Sequence, residues 1–342
     1  MKTSWMLETD GDPLGAVRQF LMELWPYAGL SGMLVPVYQE DGTRVIPGLV
    51  EDPAQLGQAD PFAPMISINA AQLVPELGQA HPNARLGAVL RACEARAFTT
   101  MAERKRIKAD SWLVIGVDCL ASFPAVDFEW RVNRAGSVER LSREALRFAR
   151  LGGIASYRYR HACQMCASPA VQEADLTIEL LGLPAKQTVL ITAKNREVSK
   201  KLRLQELTDG STPPALVARR EATLAVLAGR RRRAFERMVQ ALADDAPAEV
   251  KSLLAHLASC APCQKCLEAC PVFSGDFHPT KDGGKESVQA AGQWLAACVA
   301  CGMCEDACPK HLPLTVIIGR IKRAALDVAG LAPDPYSSEV AS

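Results

Sequence analysis

Cysteines dominate the chemistry that this chain could perform, because eight of its 12 cysteines form two runs with the same spacing. Each run has the pattern C-x2-C-x2-C-x3-C followed by proline; the runs are Cys260, Cys263, Cys266 and Cys270, and Cys298, Cys301, Cys304 and Cys308. Three closely spaced thiolates can hold one face of an iron–sulfur cubane, while the fourth, beyond the longer gap, ligates the other cluster. The proline fixes φ and removes an N–H group where the chain turns away from the cluster.

The spacing therefore predicts two 4Fe-4S clusters that exchange one ligand each. One cluster would be held by Cys260, Cys263, Cys266 and Cys308, and the other by Cys298, Cys301, Cys304 and Cys270. The alternatives are a zinc ribbon and a disulfide framework. Structural zinc is typically bound by two C-x2-C pairs rather than by runs of four cysteines, which favours the clusters.

Two further cysteines each follow an apolar, strand-like run. Cys93 comes after Leu86 to Leu90, and Cys119 comes after Trp112 to Val117, with a helical stretch from Glu94 to Ile107 between them. This order predicts a parallel βαβ unit. The ends of its two strands would lie side by side at the carboxyl edge of a sheet, where ligands usually bind.

The last two cysteines, Cys163 and Cys166, form a single C-x2-C pair. With Cys93 and Cys119 they supply four thiols, which predicts a third 4Fe-4S cluster. The alternatives are two buried core thiols at Cys93 and Cys119 and a redox-active dithiol at Cys163 and Cys166. The adjacent His161 is predicted to be a neighbour of the site rather than a ligand.

The elements that must position these cysteines read as an α/β N-terminal domain with a parallel or mixed sheet, followed by a mainly α-helical dicluster ferredoxin domain. Asp12-Pro13 is a helix-start signal, Met33 to Val37 and Arg44 to Val50 flank a hairpin turn, and Ser137 to Leu151 reads as a helix ended by glycines. The predicted domains are an α/β domain at 1–210, a helical linker at 211–257, the two-cluster domain at 258–330 and a tail at 331–342.

Charge and hydropathy narrow the classes of partner. The formal net charge is +1, with 39 basic and 38 acidic residues, so no strong field would gather nucleic acid or an anionic membrane surface. The first residues form no apolar leader, and no segment reaches about 18 uncharged apolar residues. These features predict a cytoplasmic protein without a membrane span.

Several segments resemble a known family. Leu90 to Ala97, Val117 to Leu120 and Ala162 to Cys166 are similar to segments of the beta subunits of coenzyme F-420 hydrogenases and formate dehydrogenases, and Cys298 to Pro313 is similar to the ferredoxin part of the formate dehydrogenase members. The resemblance implies a 4Fe-4S cluster on the four N-terminal cysteines beside an FAD. It also implies an electron-transfer subunit that works with a larger catalytic oxidoreductase subunit or a heterodisulfide-reductase-type complex.

The chain departs from this family at two places. Ala92 stands where many members have proline before the first cysteine, and Asp12-Pro13-Leu14-Gly15 stands where flavin-binding members carry a glycine pair. A glycine pair allows the backbone to approach a ligand closely. No G-x-G-x-x-G follows a strand either, so the sequence gives no dinucleotide fingerprint.

Three functions remain open at this point. The first is an electron-relay subunit, because the histidines are scattered without metal-ligand spacing and no catalytic ligand set is evident. The second is an FAD-containing reductase that acts on a deazaflavin or another hydride carrier. The third is a non-catalytic assembly protein with structural clusters.

The first prediction is that the protein purified without oxygen holds three 4Fe-4S clusters, or about twelve irons per chain. We expect Cys163→Ser to lower iron and labile sulfide by one cluster and to leave the other two. Iron analysis of both proteins checks this. About eight irons in the unmodified protein would remove the N-terminal site from consideration.

Overall fold

The computed structural model describes residues 2–153, 159–245, 252–253, 263–273 and 295–329. It divides into two compact units. The first comprises Met1–Tyr159 and Pro169–Val226, and the second comprises Arg160–Ser168 and Leu227–Ser342. The predicted domain boundaries differ from this division and stay predictions.

A mixed β-sheet forms the centre of the first unit. Its strands are β1 Thr3–Glu8, β2 Gly32–Tyr38, β3 Val45–Val50, β4 Leu86–Arg91, β5 Trp112–Val117, β6 Leu176–Glu179 and β7 Thr188–Ala193. They lie in the order β1-β7-β6-β5-β4-β2-β3. Strands β2, β4, β5 and β6 are parallel, whereas β3 at one edge and β7 and β1 at the other pair in antiparallel fashion.

Helices cover the sheet, and they make up most of the described part of the second unit. They are α1 Pro13–Ala28, α2 Val74–Ala80, α3 Ala92–Glu103, α4 Ala125–Ala135, α5 Val138–Leu146, α6 His161–Met165, α7 Arg196–Lys201, α8 Pro214–Asp245, α9 Lys265–Glu268, α10 Met303–Asp306 and α11 Leu314–Ala329. The predicted fold class, an α/β region followed by a helical dicluster region, is confirmed. Within the described residues, no helix is both long enough and apolar enough to cross a membrane.

The local signals that predicted the α/β region act through ordinary physical chemistry. The Asp12 carboxylate accepts a hydrogen bond from the Gly15 N–H at 3.0 Å and Pro13 occupies the first turn, which starts α1 as predicted. The hairpin is confirmed by antiparallel pairing of β2 with β3. The βαβ unit is confirmed by parallel pairing of β4 with β5, both buried along their whole length.

Several elements differ from the sequence prediction. The helix predicted over Ser137 to Leu151 ends at Leu146, and a 3-10 turn, Ala149–Leu151, precedes the glycines. Strand β1 was missed, because most of its side chains are only half-buried at a sheet edge and carry no apolar alternation. Asn69 can cap a helix across Ala70 to Ala80, but the chain there forms a 3-10 turn, Ala70–Leu73, followed by α2. Pro75 lies in the first turn of α2, where its missing N–H group has no helical partner to lose.

A buried ion network ties the start of α8 to the sheet in the first unit. Asp118, just after β5, accepts N–H hydrogen bonds from Leu180 and Leu181 at 2.8 and 2.9 Å. The Arg220 guanidinium of α8 binds the same carboxylate, with Nη2 at 3.0 Å from Oδ1, and its Nε lies 2.9 Å from a Glu179 oxygen. Asp118 is fully buried and precedes Cys119, so this network fixes the loop that holds that thiol.

The second prediction concerns this network. We expect Arg220→Gln to lower the free energy of unfolding by about 3–5 kcal/mol, because it leaves the Asp118 charge buried without its partner. The matched control is Arg203→Gln, since Arg203 pairs with Glu206 where both side chains are more than half exposed. Urea denaturation followed by circular dichroism measures both. Equal, small effects of the two changes would contradict the assigned role.

Candidate metal centre

The first cysteine run folds as a tight turn that leads into α9. Gln264, between Cys263 and Cys266, has a left-handed backbone with φ of 50°. Its carbonyl accepts the N–H groups of Leu267 at 2.9 Å and Glu268 at 3.1 Å, and the Cys270 N–H then binds the Leu267 carbonyl at 3.0 Å. Cys260, the first predicted ligand, lies outside the described residues.

The second run has the same backbone geometry at the equivalent positions. Gly302 has φ of 76° and its carbonyl accepts the N–H groups of Glu305 at 3.1 Å and Asp306 at 3.2 Å, which starts α10. The Cys308 N–H binds the Glu305 carbonyl at 3.1 Å. The two runs therefore present their cysteines through the same backbone turn, as their identical spacing suggests.

The thiols fall into two groups by their electrostatic interactions. Burial, followed by the nearby Cys301 and Cys298, raises the pKa of Cys270 to about 12. Burial also raises the pKa of Cys304 well above its ordinary value, and Cys298, Cys301, Cys270 and, with the smallest effect, Cys266 raise it further. The fourth cysteine of the first run therefore lies among the first three of the second run.

The exchange is reciprocal. Burial first, and then Cys308 and Cys263, raise the pKa of Cys266. Cys308, the fourth cysteine of the second run, is buried beside the first run. This grouping has the arrangement that the C-x3-C gap predicted, although ligation of iron by these cysteines stays a prediction.

The donor set fits a cluster. Each of the eleven cysteines in the described part of the chain is a thiol rather than half of a disulfide. Charge interactions with neighbouring thiols oppose ionisation of Cys266, Cys270 and Cys304, and bound iron would offset that cost, because iron–sulfur clusters are held by thiolates. Among the described residues, no group of three or more His, Cys, Asp and Glu side chains meets the geometry for a single metal ion.

A second segment of the same unit, Arg160–Ser168, is attached to α10 by charged side chains. Arg160 binds Asp306 with 2.6 Å between nitrogen and oxygen, and His161 Nδ1 lies 2.7 Å from Glu305 Oε1. The hydrogen bond to Glu305 raises the pKa of His161. Burial alone would raise the pKa of Glu305, but His161 and Thr315 outweigh it and lower that pKa.

The prediction that His161 is a neighbour of the third cluster rather than a ligand stays a prediction, and sequence reasoning missed the contacts of Arg160, Glu305 and Asp306. The signal was present in the acidic pair Glu305-Asp306, which immediately follows Cys304 and occupies the first turn of α10. Acidic side chains beside several cysteines are stabilised by cationic partners. Arg160 and His161 are those partners.

The remaining four predicted ligands are divided between the two units. Cys93 is the second residue of α3, and Cys119 lies two residues beyond β5. Arg91 pairs with Val117 in the parallel register, so each thiol lies two residues past paired strand ends at the carboxyl edge. Cys163 lies in α6 and Cys166 caps its C-terminus in the second unit. A cluster on all four stays a prediction.

Comparison with known proteins identifies the C-terminal region. Residues 256–312 match the 4Fe-4S dicluster domain family. No curated protein matches the chain. Among solved structures, a chain of the F420-reducing [NiFe] hydrogenase complex from Methanosarcina barkeri is similar in fold, with a TM-score of 0.51 and 11% identity over 69% of this chain and 91% of that chain.

The third prediction tests the shared turn. A Cβ atom on Gly302 would lie 2.5 Å from the Cβ of Ala162, and its positive φ costs a side-chain-bearing residue about 1–2 kcal/mol. We therefore expect Gly302→Ala to lose iron from the second run and to lower the melting temperature. Gln264→Gly, at the equivalent position of the first run, is the matched control and should keep the iron. Full iron content in Gly302→Ala would show that the turn is not needed.

Proposed function

We propose that this chain is the iron–sulfur electron-transfer subunit of a cytoplasmic oxidoreductase complex, similar to the beta subunits of formate dehydrogenases and F-420 hydrogenases. The observation on which the proposal mainly rests is the reciprocal grouping of the described cysteines of the two runs, in a region that matches the dicluster domain family. Two adjacent one-electron centres can accept an electron at one surface and release it at another. They give no means of activating a substrate.

The groups around the cysteines fit such a relay. Cys270 and Cys304 are only partly exposed, and burial is the largest cause of the raised pKa of both thiols. Backbone N–H groups of Val272 and Phe273 favour the Cys270 thiolate and counter the rise of its pKa by burial. Clusters supply reversible one-electron transfer when bound, and hydrogen bonds to their sulfurs raise the reduction potential. The chain's own contribution is to hold the thiolates and to place hydrogen-bond donors beside them.

The rest of the proposal concerns a larger catalytic partner. The fold of this chain is similar to that of a chain in a hydrogenase complex, and hydrogen chemistry in a [NiFe] enzyme requires a metal site of its own. We propose a larger oxidoreductase subunit or a heterodisulfide-reductase-type complex as the partner, and a third 4Fe-4S cluster on Cys93, Cys119, Cys163 and Cys166 as the route into the dicluster domain.

A flavin-containing reductase is the second candidate, and one observation favours it. Asn69 and Ser122 are almost completely buried, and neither Asn69 Nδ2 nor Ser122 Oγ has a hydrogen-bond partner. Their chain neighbours Ala70 and Phe123 hydrogen-bond to Glu94 and Pro64 in the same unit, close to the start of α3. Unpaired buried polar atoms at a carboxyl edge are suited to a polar ligand such as FAD.

The N-terminal turn gives the flavin candidate no support. Gly15 stands where the family has its glycine pair, but a Cβ there would lie 2.5 Å from Asp12 Oδ2. This glycine therefore makes room for the capping carboxylate of α1. FAD reconstitution, followed by denaturation and fluorescence of the released flavin, separates the candidates. Release of about one FAD per chain would favour the reductase, and release of none leaves a cluster carrier.

The fourth prediction tests the relay. We expect Cys301→Ser and Cys304→Ser each to remove one dicluster centre and to abolish electron transfer to the partner complex, because the pathway then lacks a centre. Cys→Ser at the N-terminal position Cys119 is the comparison, since it should leave the dicluster domain intact. Dye reduction by the purified complex, with iron content, measures this.

An assay of the isolated chain can contradict the relay proposal. If it oxidises formate or hydrogen with an artificial dye as acceptor, it is a complete enzyme and the relay proposal fails. If its clusters bind but cannot be reduced by dithionite, the assembly-protein function is favoured.

A further inference from the structure

Arg160 has a buried guanidinium group whose hydrogen bonds are only partly used. The residue is 4% exposed, and its Nε and Nη1 atoms are buried without a hydrogen-bond partner. Leaving buried N–H donors unpaired is unfavourable, because their lost hydrogen bonds to water are not replaced. Arg160 lies just before α6, which begins at His161. The formation of this helix therefore does not explain why the Arg160 charge is buried.

The third nitrogen shows where the group lies in the second unit. Nη2 donates to the Cys301 carbonyl at 3.1 Å, contacts Met303 Sδ at 3.6 Å and binds Asp306 at 2.6 Å. A Cβ atom on Gly302 would lie 3.2 Å from it. The guanidinium therefore contacts the backbone of the turn that presents Cys301 and Cys304, inside the cysteine run itself.

The thiols are the second set of neighbours. Burial alone would lower the pKa of Arg160, but Cys163, Asp306 and Cys301 outweigh it and raise the pKa. The group is thus a permanent cation beside thiols of two sequence-distant motifs. Asp306 is its main counter-charge, and the other carboxylate of α10, Glu305, is held by His161 and the Thr315 N–H.

We infer that Arg160 sets the reduction potential of the cluster predicted on Cys298, Cys301, Cys304 and Cys270. One-electron reduction adds one negative charge to the cluster, breaks no bond and needs no proton. A nearby fixed cation favours the more negative state, and N–H donors directed at sulfur ligands act in the same sense. Arg160 is therefore a positioning and tuning residue. The inference rests on the dicluster proposal and does not need the third cluster.

The competing explanation is that Arg160 only attaches its segment to α10. The two roles predict different responses to its counter-charge. If the residue is a structural tie, then removing either partner of the Arg160–Asp306 pair weakens the same contact. If it tunes the cluster, removing the cation and removing the anion must move the potential in opposite directions.

The test uses three variants of the full chain, loaded with iron and sulfide. We expect Arg160→Gln to lower the midpoint potential of one dicluster centre, so that the ratio of reduced to oxidised cluster at a fixed potential falls about tenfold, or ~59 mV for one electron. Asp306→Asn should raise the potential of the same centre, because the cation is then uncompensated. Arg160→Lys should retain most of the unmodified potential, because the charge remains. A redox titration monitored by electron paramagnetic resonance measures all three.

The outcomes separate the inference from the proposal beneath it. Absence of clusters from the unmodified chain overturns the dicluster proposal. Intact iron content with unshifted potentials, or shifts of the same sign in Arg160→Gln and Asp306→Asn, overturns the tuning role. If Arg160→Gln fails to retain iron, a raised potential in Asp306→Asn together with a retained potential in Arg160→Lys supports the tuning role, and any other result overturns it. Repeating the titration in Cys163→Ser shows whether the effect acts at the second run, where it should persist.

Discussion

The free-energy cost of placing several thiolates in one buried region is the constraint on which the C-terminal unit depends. Burial and neighbouring sulfurs raise the pKa values of Cys266, Cys270 and Cys304. A cationic iron centre can offset such a cost, and so can fixed positive charge and N–H donors. Features that are otherwise unrelated, the left-handed turns, the buried Arg160 and the N–H groups around Cys270, can be understood as ways of lowering this cost.

The exchange of the fourth cysteine adds a second consequence of the same constraint. Because Cys270 lies among the thiols of the other run, and Cys308 among those of the first, neither run can bind its centre alone. Binding of one centre would then position one of the four predicted ligands of the other. An apolar cluster that includes Leu242, Val316, Ile317 and Ile321 packs against Cys298 of the second run.

Much of this architecture is readable from local sequence signals. Asp12-Pro13 predicted the start of α1, the apolar runs predicted β4 and β5, and the cysteine spacing predicted how the thiols group. These signals are short-range and depend on one or two residues each. Strand β1 could not be predicted, because its pairing with β7 joins residues nearly two hundred positions apart and its side chains are half-buried. Arg160 escaped for the same reason: its partners Cys301 and Asp306 are remote in sequence, and a single arginine has no pattern.

The membership of Arg160–Ser168 in the second unit affects how the chain is made. This short segment is synthesised long before Gly302, Glu305 and Asp306, with which its side chains interact. During translation its cation and its two cysteines must remain without those partners while more than a hundred further residues leave the ribosome. The second unit is therefore discontinuous and cannot complete its folding co-translationally from one end. Iron and sulfide bound beside this segment would correspondingly be inserted late, after Asp306 has been synthesised.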